Sequence, residues 1–270
     1  MFQKIGFIGT GAMGGAVARI AAQTAPEAQI YLANRTADKA AALAADLPNA
    51  RVSTNEEIAG ICDLVFLAVK PQVMPHALPA LSGVLAERRD RFVLVTMAAG
   101  LTMETIRSLA GGDYPVIRMM PNTPITVGAG AVQYCGLGVT DAELADFAAL
   151  LSEAGTVDPL PEHLIDAASA LSGCGPAYVD LFLEALADGG VACGLPRRKA
   201  MAYAAQMVEG AARMARLSGA HPSALKDTVC SPGGSTIQGV RALEQGAFRG
   251  TVMDAVIAAY EKNLQLKQVD

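Results

Sequence analysis

The sequence predicts an α/β N-terminal domain built on a parallel sheet, followed by an all-α C-terminal domain. Three observations support this prediction. Short apolar runs typical of buried strands alternate with helical patterns as far as residue 160, a Gly-rich turn follows the first run, and strand patterns end at Pro161. The 270 residues suffice for two modest domains with a core each. We therefore predict domains at residues 1–160 and 161–270.

Composition narrows the class of protein. Hydrophobic residues make up 52% of the chain but aromatic residues only 5%, so the apolar content is mostly small side chains that suit closely packed helices. The net charge of −5 argues against a surface for nucleic acid or anionic membranes. No signal-peptide pattern and no apolar run of membrane-spanning length occur, so we expect a cytoplasmic location.

Metal and disulfide chemistry are not expected. The five cysteines are odd in number and widely spaced, and the three histidines form no ligand motif. We predict reduced thiols and no metal site.

The first strand, Lys4 to Ile8, leads into a G-x-G-x-x-G turn formed by Gly9, Gly11 and Gly14, and then into a helical pattern. In this context the glycines permit a tight turn and let a pyrophosphate approach the helix N-terminus closely. The motif favours a Rossmann-type dinucleotide site over a purely structural turn.

The second strand, Gln29 to Ala33, ends at Asn34, Arg35 and Thr36, where a dinucleotide fold meets the adenosine ribose. No carboxylate stands there to repel a 2′-phosphate, and Arg35 can pair with one. The sequence predicts NADPH as the preferred cofactor, with NADH as the alternative. A solvated arginine before a helix capped by Thr36 is the competing interpretation.

Later strands carry further candidates at their carboxyl ends, where open α/β sheets bind ligands. Lys70 and Pro71 follow the strand from Asp63, small residues follow the strand from Phe92, and Asn122 and Thr123 follow the strand from Pro115. Lys70 can reach a cofactor, and Asn122 or Thr123 can hydrogen-bond a substrate or nicotinamide. A solvated lysine and ordinary turn residues are equally compatible with the pattern.

Helical patterns with short breaks fill the second half. A Pro-Gly-Gly turn there delivers Ser235 and Thr236 onto a helix N-terminus, so the N–H groups of Gly233, Gly234, Ser235 and Thr236 can converge on a carboxylate or phosphate. An ordinary capping turn is the alternative. The helix from Tyr178 is apolar on most faces, which predicts burial against a second copy and hence a homodimer.

Several motifs resemble those of pyrroline-5-carboxylate reductases, and the resemblance spans essentially the whole chain. They are Ser172-Gly-Cys-Gly-Pro-Ala-Tyr178, Ala187-Asp-Gly-Gly190 with Gly194-Leu-Pro-Arg-Arg198, Ser231-Pro-Gly-Gly-Ser-Thr-Ile237 and Leu243-Glu-Gln-Gly-Ala-Phe-Arg249, with the Gly9 to Gly14 loop, Ala68 to Pro71 and Asn122-Thr-Pro124 in the N-terminal half. Cys174 and Cys230 depart from the Ser or Thr that the family often has, and Thr228 from the Asn of some members.

The resemblance implies reduction of Δ1-pyrroline-5-carboxylate to L-proline with NAD(P)H, the last step of proline biosynthesis, and it implies residue roles. Residues implied to line the cofactor are Gly9, Thr10, Gly11, Ala12, Met13, Gly14, Asn34, Arg35, Asn55, Ala68, Val69, Lys70, Pro71, Met97, Ala98 and Ala99. Residues expected at the substrate are Glu162, Thr228, Gly233, Gly234, Ser235 and Thr236. The Thr236 hydroxyl is expected to hydrogen-bond the imine nitrogen, as the catalytic side chain.

We expect the pocket to form between the two domains of a homodimer, or of a larger oligomer of dimers, and whether the partner subunit completes it stays open. Two other classes compete. A related imine reductase or β-hydroxyacid-dehydrogenase-like reductase would share both domains, and many of those use a catalytic lysine, for which Lys199 and Lys226 are candidates without a recognisable motif. A non-catalytic NADPH sensor would bind the cofactor without oxidising it.

Overall fold

The computed structural model describes residues 2–266, which divide into two compact units. The first holds the chain as far as Gly173 together with the segment from Ala259, and the second is Cys174–Ala258. The α/β class of the N-terminal part and the all-α class of the C-terminal part are confirmed. Met1 and the last four residues of the predicted second domain lie outside the described residues.

One eight-stranded sheet forms the centre of the first unit. Its strands are β1 (Lys4–Ile8), β2 (Gln29–Ala33), β3 (Ala50–Val52), β4 (Leu64–Leu67), β5 (Val93–Thr96), β6 (Val116–Met120), β7 (Gly130–Leu137) and β8 (Gly155–Pro159). Their order is β3-β2-β1-β4-β5-β6-β7-β8, and the first six run parallel while β7 pairs with β6 in the antiparallel sense. The chain order reverses at β1, which opens a crevice at the carboxyl ends of β1 and β4.

Both faces of this sheet are covered, which explains the continuous apolar strands in the sequence. On one face the rings of Phe7 and Phe66 stack with centroids 4.5 Å apart, within a cluster that also contains Phe147. On the other face Ile58 and Met74 are fully buried in a second cluster. All the buried residues of these two clusters belong to the first unit.

Helices cover both faces of the sheet in the first unit. They are α1 (Ala12–Thr24), α2 (Ala37–Ala45), α3 (Asn55–Ile61), α4 (Met74–Ala77), α5 (Ser82–Glu87), α6 (Met103–Ala110), α7 (Asp141–Leu150) and α8 (Glu162–Ala168). The side chains of Thr102 and Thr140 cap α6 and α7. Thr36 occupies the N-cap position of α2 without a side-chain capping bond. A 3₁₀ turn that begins at Pro79 and ends at Leu81 separates α4 from α5.

The domain boundary predicted at residue 160 differs from the division into compact units. Helix α8 and the π-helical turn Ser169–Gly173 belong to the first unit. The reason is packing, since Ile165 is fully buried and Asp166 forms an ion pair with Arg118 of β6. A helix that follows the last strand therefore still completes the α/β unit.

The second unit is helical and leaves much apolar surface uncovered in the single chain. Its helices are α9 (Gly175–Ala192), α10 (Arg197–Ser218), α11 (Pro222–Thr228), α12 (Ser235–Gln245) and α13 (Phe248–Leu266), the last of which continues into the first unit. Leu181 of α9 and Leu217 of α10 are 67% and 66% exposed. An apolar groove of about 580 Å³ runs between Phe182, Leu243 and Val252. Such a surface is typical of a protein-protein interface.

No helix within the described part of the chain, residues 2–266, has the length and apolar character needed to cross a membrane.

An ion pair at the start of α7 makes stability depend on pH. Both carboxylate oxygens of Glu143 accept hydrogen bonds from Arg91, at 2.8 Å each, and Glu143 completes a capping box with Thr140. Hydrogen bonding to Arg91 lowers the pKa of Glu143 to about 2. Because the folded pKa is depressed, this stabilisation is present above the ordinary glutamate pKa of about 4.3 and is lost as the pH falls towards the folded value.

We therefore expect Glu143→Gln to lower the midpoint of thermal unfolding at neutral pH. The gap between wild type and variant should narrow as the pH falls from about 4.3 towards 2. Thermal unfolding followed by circular dichroism across this range measures it. A gap that stays constant with pH would contradict the assignment.

Candidate active site

The loop between β1 and α1 presents an open helix N-terminus. Gly11 is the N-cap residue of α1, and no side chain caps the helix. Gly11 and Ala12 are exposed, and a Cβ atom on Gly11 would have no neighbour within 4 Å. The first N–H groups of α1 thus face open space, where the positive end of the helix favours an anion.

Gly14 holds this loop against the next strand. A Cβ atom at Gly14 would lie 2.3 Å from the Gly9 carbonyl oxygen and 2.8 Å from the Ala68 Cβ atom, closer than real Cβ atoms come. The loops that follow β1 and β4 therefore meet at a point that only glycine can occupy. This close packing agrees with the tight turn that the G-x-G-x-x-G pattern predicts.

Asn34 ties the first loop to the second. Its Oδ1 atom accepts the Thr10 N–H at 3.1 Å, and its Nδ2 atom donates to the Thr36 carbonyl at 3.0 Å. The next residue, Arg35, is exposed at the carboxyl end of β2. Asn34 thus fixes the loop while the guanidinium of Arg35 stays accessible to a ligand.

A groove beside this loop fits a phosphate-bearing ligand. It has a volume of about 470 Å³ and is lined by the open N-terminus of α1, by Lys39, and by Arg19 together with Asp46, which pair at 2.7 Å. The Thr10 hydroxyl is buried and has no hydrogen-bond partner among residues 2–266. An unpartnered buried hydroxyl under a loop of free N–H groups suits a bound pyrophosphate.

The remaining predicted cofactor residues lie at the same edge of the sheet. Asn55 is the first residue of α3 and follows β3, and the Ala68 to Pro71 loop follows β4, with Lys70 exposed. After β5, the Ala98 N–H donates to the Thr96 hydroxyl at 3.2 Å, which fixes the short loop from Met97. The first unit therefore gathers all sixteen predicted cofactor residues along the carboxyl ends of its parallel strands.

Arg118 was not anticipated as a functional residue. Its side chain is fully buried in the middle of β6, with Nη2 2.7 Å from Asp166 Oδ1 and Nη1 3.5 Å from Glu162 Oε1. The Glu162 Oε1 atom also accepts the Met103 N–H at 2.8 Å. The sequence offers one sign of this role, which is an arginine within an otherwise apolar strand. A guanidinium buried there needs carboxylate partners.

Asn122, for which the sequence left two interpretations open, has a structural role in this unit. Its Nδ2 atom donates to the Ser172 carbonyl at 3.0 Å, and its Oδ1 atom accepts the Ala131 N–H at 2.9 Å. Both ends of the amide are thus engaged within the protein.

The Pro-Gly-Gly turn of the second unit leads into a helix whose first turn is not capped by a side chain. Gly233 has a φ of +74°, and α12 begins at Ser235 without a side-chain cap, so the N–H groups of Ser235 and Thr236 lie in an open first turn. The Gly234 N–H, however, donates to the Ser231 carbonyl at 3.0 Å, so it does not join the predicted convergence. The Thr228 hydroxyl donates to the Leu225 carbonyl at 2.7 Å.

Burial raises the pKa of two cysteine thiols. All five cysteines are free, and burial raises the pKa of Cys62 to about 12 and that of Cys135 to about 11, so both stay protonated at neutral pH. Over residues 2–266 no group of three or more His, Cys, Asp or Glu side chains is arranged to hold a metal ion.

Two protein-family models match the chain. The model described as pyrroline-5-carboxylate reductase dimerisation matches residues 162–266, and the model described as NADP oxidoreductase, coenzyme F420-dependent, matches residues 4–100. The first match begins close to the predicted boundary at residue 160, and the second covers β1 to β5.

Similar proteins are known over the full length. The chain is 42% identical over 268 residues to a pyrroline-5-carboxylate reductase of Arabidopsis thaliana, covering 98% of this chain and 96% of the relative. It is 39% identical over 271 residues to that of Escherichia coli, covering 99% and 100%. A crystal structure of Plasmodium falciparum pyrroline carboxylate reductase with NADP bound superposes with a TM-score of 0.84 at 33% identity, covering 98% of each chain.

The motifs of both halves, the Rossmann-type sheet with its helical second unit, and these full-length similarities agree. The chain belongs to the pyrroline-5-carboxylate reductase family.

Proposed function

We propose that this protein reduces Δ1-pyrroline-5-carboxylate to L-proline with NADPH, the last step of proline biosynthesis. The observation that carries the proposal is the open N-terminus of α1 behind the close-packed glycine loop, in a chain whose full-length relatives carry this activity in their names. The loop supports the binding of a dinucleotide, and the family membership supports the identity of the substrate.

When bound, NADPH supplies the hydride that the imine carbon accepts. The α1 N–H groups and the Thr10 hydroxyl would hold its pyrophosphate, and Arg35 would pair with the 2′-phosphate. The other residues assigned to the cofactor are Gly9, Gly11, Ala12, Met13, Gly14, Asn34, Asn55, Ala68, Val69, Lys70, Pro71, Met97, Ala98 and Ala99. Their position at the carboxyl ends of β1 to β5 supports this assignment.

The substrate is a cyclic imine with one carboxylate. The N–H groups of Ser235 and Thr236, at the positive end of α12, suit that carboxylate, with Gly233, Gly234 and Thr228 nearby in sequence. A carboxylate held at this helix end would fix the ring for reaction. Glu162, which the family resemblance also implies at the substrate, has its carboxylate engaged by Arg118 and Met103.

Protonation of the ring nitrogen makes the neighbouring carbon electrophilic. We assign the Thr236 hydroxyl to hydrogen-bond that nitrogen as it changes from iminium to amine. A threonine hydroxyl is too weak an acid to be the main proton source, so the proton comes with the protonated substrate or from water. The second unit thus orients the substrate and stabilises the product amine.

The dimerisation match over residues 162–266, with the exposed apolar residues of α9 and α13, supports a homodimer. A second row of exposed apolar residues on α10, formed by Met207, Met214 and Leu217, supports further association of dimers. Free thiols at all five cysteines support a reducing compartment such as the cytoplasm.

The first test measures NADPH oxidation by absorbance with pyrroline-5-carboxylate as substrate. The wild-type protein should consume NADPH and form proline. Binding of NADPH without consumption would favour the sensor, and consumption only with other imines or with β-hydroxyacid-type substrates would favour a related reductase.

In the same assay Thr236→Ala should lower kcat about tenfold while the Kd of NADPH changes less than about twofold, because the lost hydrogen bond forms with substrate alone. Ser108→Ala, which removes an exposed hydroxyl on α6, should match the wild type and serves as the control. Wild-type turnover in Thr236→Ala would remove this residue from the mechanism.

Arg35→Ala should weaken the binding of NADPH more than the binding of NADH. Loss of a charge-assisted contact to the 2′-phosphate should raise the Kd of NADPH by about tenfold or more, whereas the Kd of NADH should change little. Equilibrium titration with each cofactor measures both constants, and NADH is the internal control. Equal weakening for both cofactors would contradict a 2′-phosphate contact.

A further inference from the structure

The loop after β5 lies in the half of the sheet where a Rossmann fold binds the nicotinamide end of its cofactor. The adenosine end is marked by Arg35 at β2, and the pyrophosphate lies at the β1 turn, so a bound dinucleotide continues across the switch point towards β4 and β5. The residues that follow β5 are Met97, Ala98, Ala99 and Gly100, small for the most part. How firmly this loop is held therefore decides where a nicotinamide ring can rest.

Glu162 holds the far end of that loop. Its Oε1 atom accepts the N–H of Met103, the first residue of α6, at 2.8 Å. Thr102 caps α6 by accepting the Thr105 N–H, so Glu162 satisfies a different free N–H of the same helix end. A carboxylate at a helix N-terminus is also favoured by the helix dipole.

Arg118 fixes Glu162 in turn. The buried guanidinium spans Asp166 and Glu162, which lie one turn apart on α8. The side chain of Glu162 is 28% exposed, whereas those of Arg118 and Asp166 are almost fully buried. Strand β6 thus sets the position of the carboxylate that contacts α6.

The end of α13 contacts the same elements. The Asn263 Nδ2 atom donates to the Asp166 carbonyl at 3.1 Å, and a Cβ atom on Gly100 would lie 3.0 Å from the Leu266 Cβ atom. The loop after β5 is thus bounded at Gly100 by Leu266 and at Met103 by Glu162. The contact at Gly100 comes from α13, and the contact at Met103 comes from α8, whose Glu162 is paired with Arg118 of β6.

We propose that Glu162, held by Arg118, is a positioning residue that fixes the Met97 to Gly100 loop as the wall for the nicotinamide of NADPH. This inference rests on the proposed function. It assigns Glu162 a role in cofactor geometry through the Met103 N–H, beside the substrate contact that the family resemblance implies. Its loss should therefore disturb the nicotinamide half of the cofactor and spare the adenosine half.

The experiment compares two ligands on each protein. The chain contains no Trp, so the emission of bound NADPH reports the surroundings of its nicotinamide without indole background. Adenosine 2′,5′-bisphosphate carries the adenosine half alone, and calorimetry measures its Kd. Steady-state kcat and KM with NADPH complete the comparison.

In Glu162→Ala we expect the emission change on NADPH binding to be lost and kcat to fall about tenfold or more, since small displacements of reacting groups cost rate steeply. The Kd of adenosine 2′,5′-bisphosphate should stay within about twofold of wild type. Glu162→Gln keeps an oxygen that accepts the Met103 N–H, so it should restore most of the emission change. Glu143→Ala, which removes a glutamate paired with arginine elsewhere in the same unit, should match wild type with both ligands.

The inference would be overturned if Glu162→Ala kept the wild-type emission change and the wild-type kcat. It would also be overturned if the variant bound NADPH and adenosine 2′,5′-bisphosphate equally more weakly, because that result indicates a merely structural role. If Glu162→Ala does not fold, Glu162→Asp gives the same readouts, because its shorter side chain withdraws the carboxylate from Met103. The proposed function would be contradicted if the wild-type protein changed the emission of NADPH on binding but did not oxidise NADPH with pyrroline-5-carboxylate. The comparison of emission between wild type and the Glu162 variants would still decide the role of Glu162.

Discussion

The contact between Gly14 and the Gly9 carbonyl oxygen is the constraint on which the cofactor half of the molecule depends. It brings the start of α1 against the chain that leaves β1, and Ala68 after β4 packs on the same point. Because no side chain intervenes, the first turn of α1 stays open and its N–H groups face the groove beside Thr10. Backbone packing, rather than a charged side chain, thus leaves open the helix N-terminus that we assign to the pyrophosphate of the cofactor.

A second constraint, the burial of Arg118, organises the other end of the sheet. Removing a guanidinium from water is costly unless carboxylates and hydrogen bonds compensate for it. Asp166 and Glu162 supply those carboxylates from α8, and Glu162 shares its oxygen with the start of α6. Through these contacts the buried charge of Arg118 holds α8 and α6 against the sheet. Because α6 follows the loop that we assign to nicotinamide, the same contacts also hold the end of that loop.

The sequence predicted the features of the fold that depend on local backbone geometry and on the burial of neighbouring residues. The Gly9 to Gly14 turn and the apolar strands β1, β2, β4, β5 and β6 each follow from residues close in sequence, and both predictions are confirmed. The short strands β3 and β8 were not predicted, because they lie at the two edges of the sheet and carry little apolar pattern. The partners of Arg118 could not be predicted from spacing either, since they lie 44 and 48 residues away in the chain.

Two neighbouring glycines offer the most direct test of the account. A Cβ atom at Gly14 would collide with the Gly9 carbonyl oxygen, whereas one at Gly15 would make only ordinary contacts, with Leu43 at 3.7 Å and with the Thr10 carbonyl oxygen at 3.8 Å. Equilibrium titration with NADPH, with folding checked by circular dichroism, compares Gly14→Ala with Gly15→Ala. The account predicts near wild-type affinity for Gly15→Ala and at least about a tenfold loss for Gly14→Ala. Equal affinities in the two variants would contradict it.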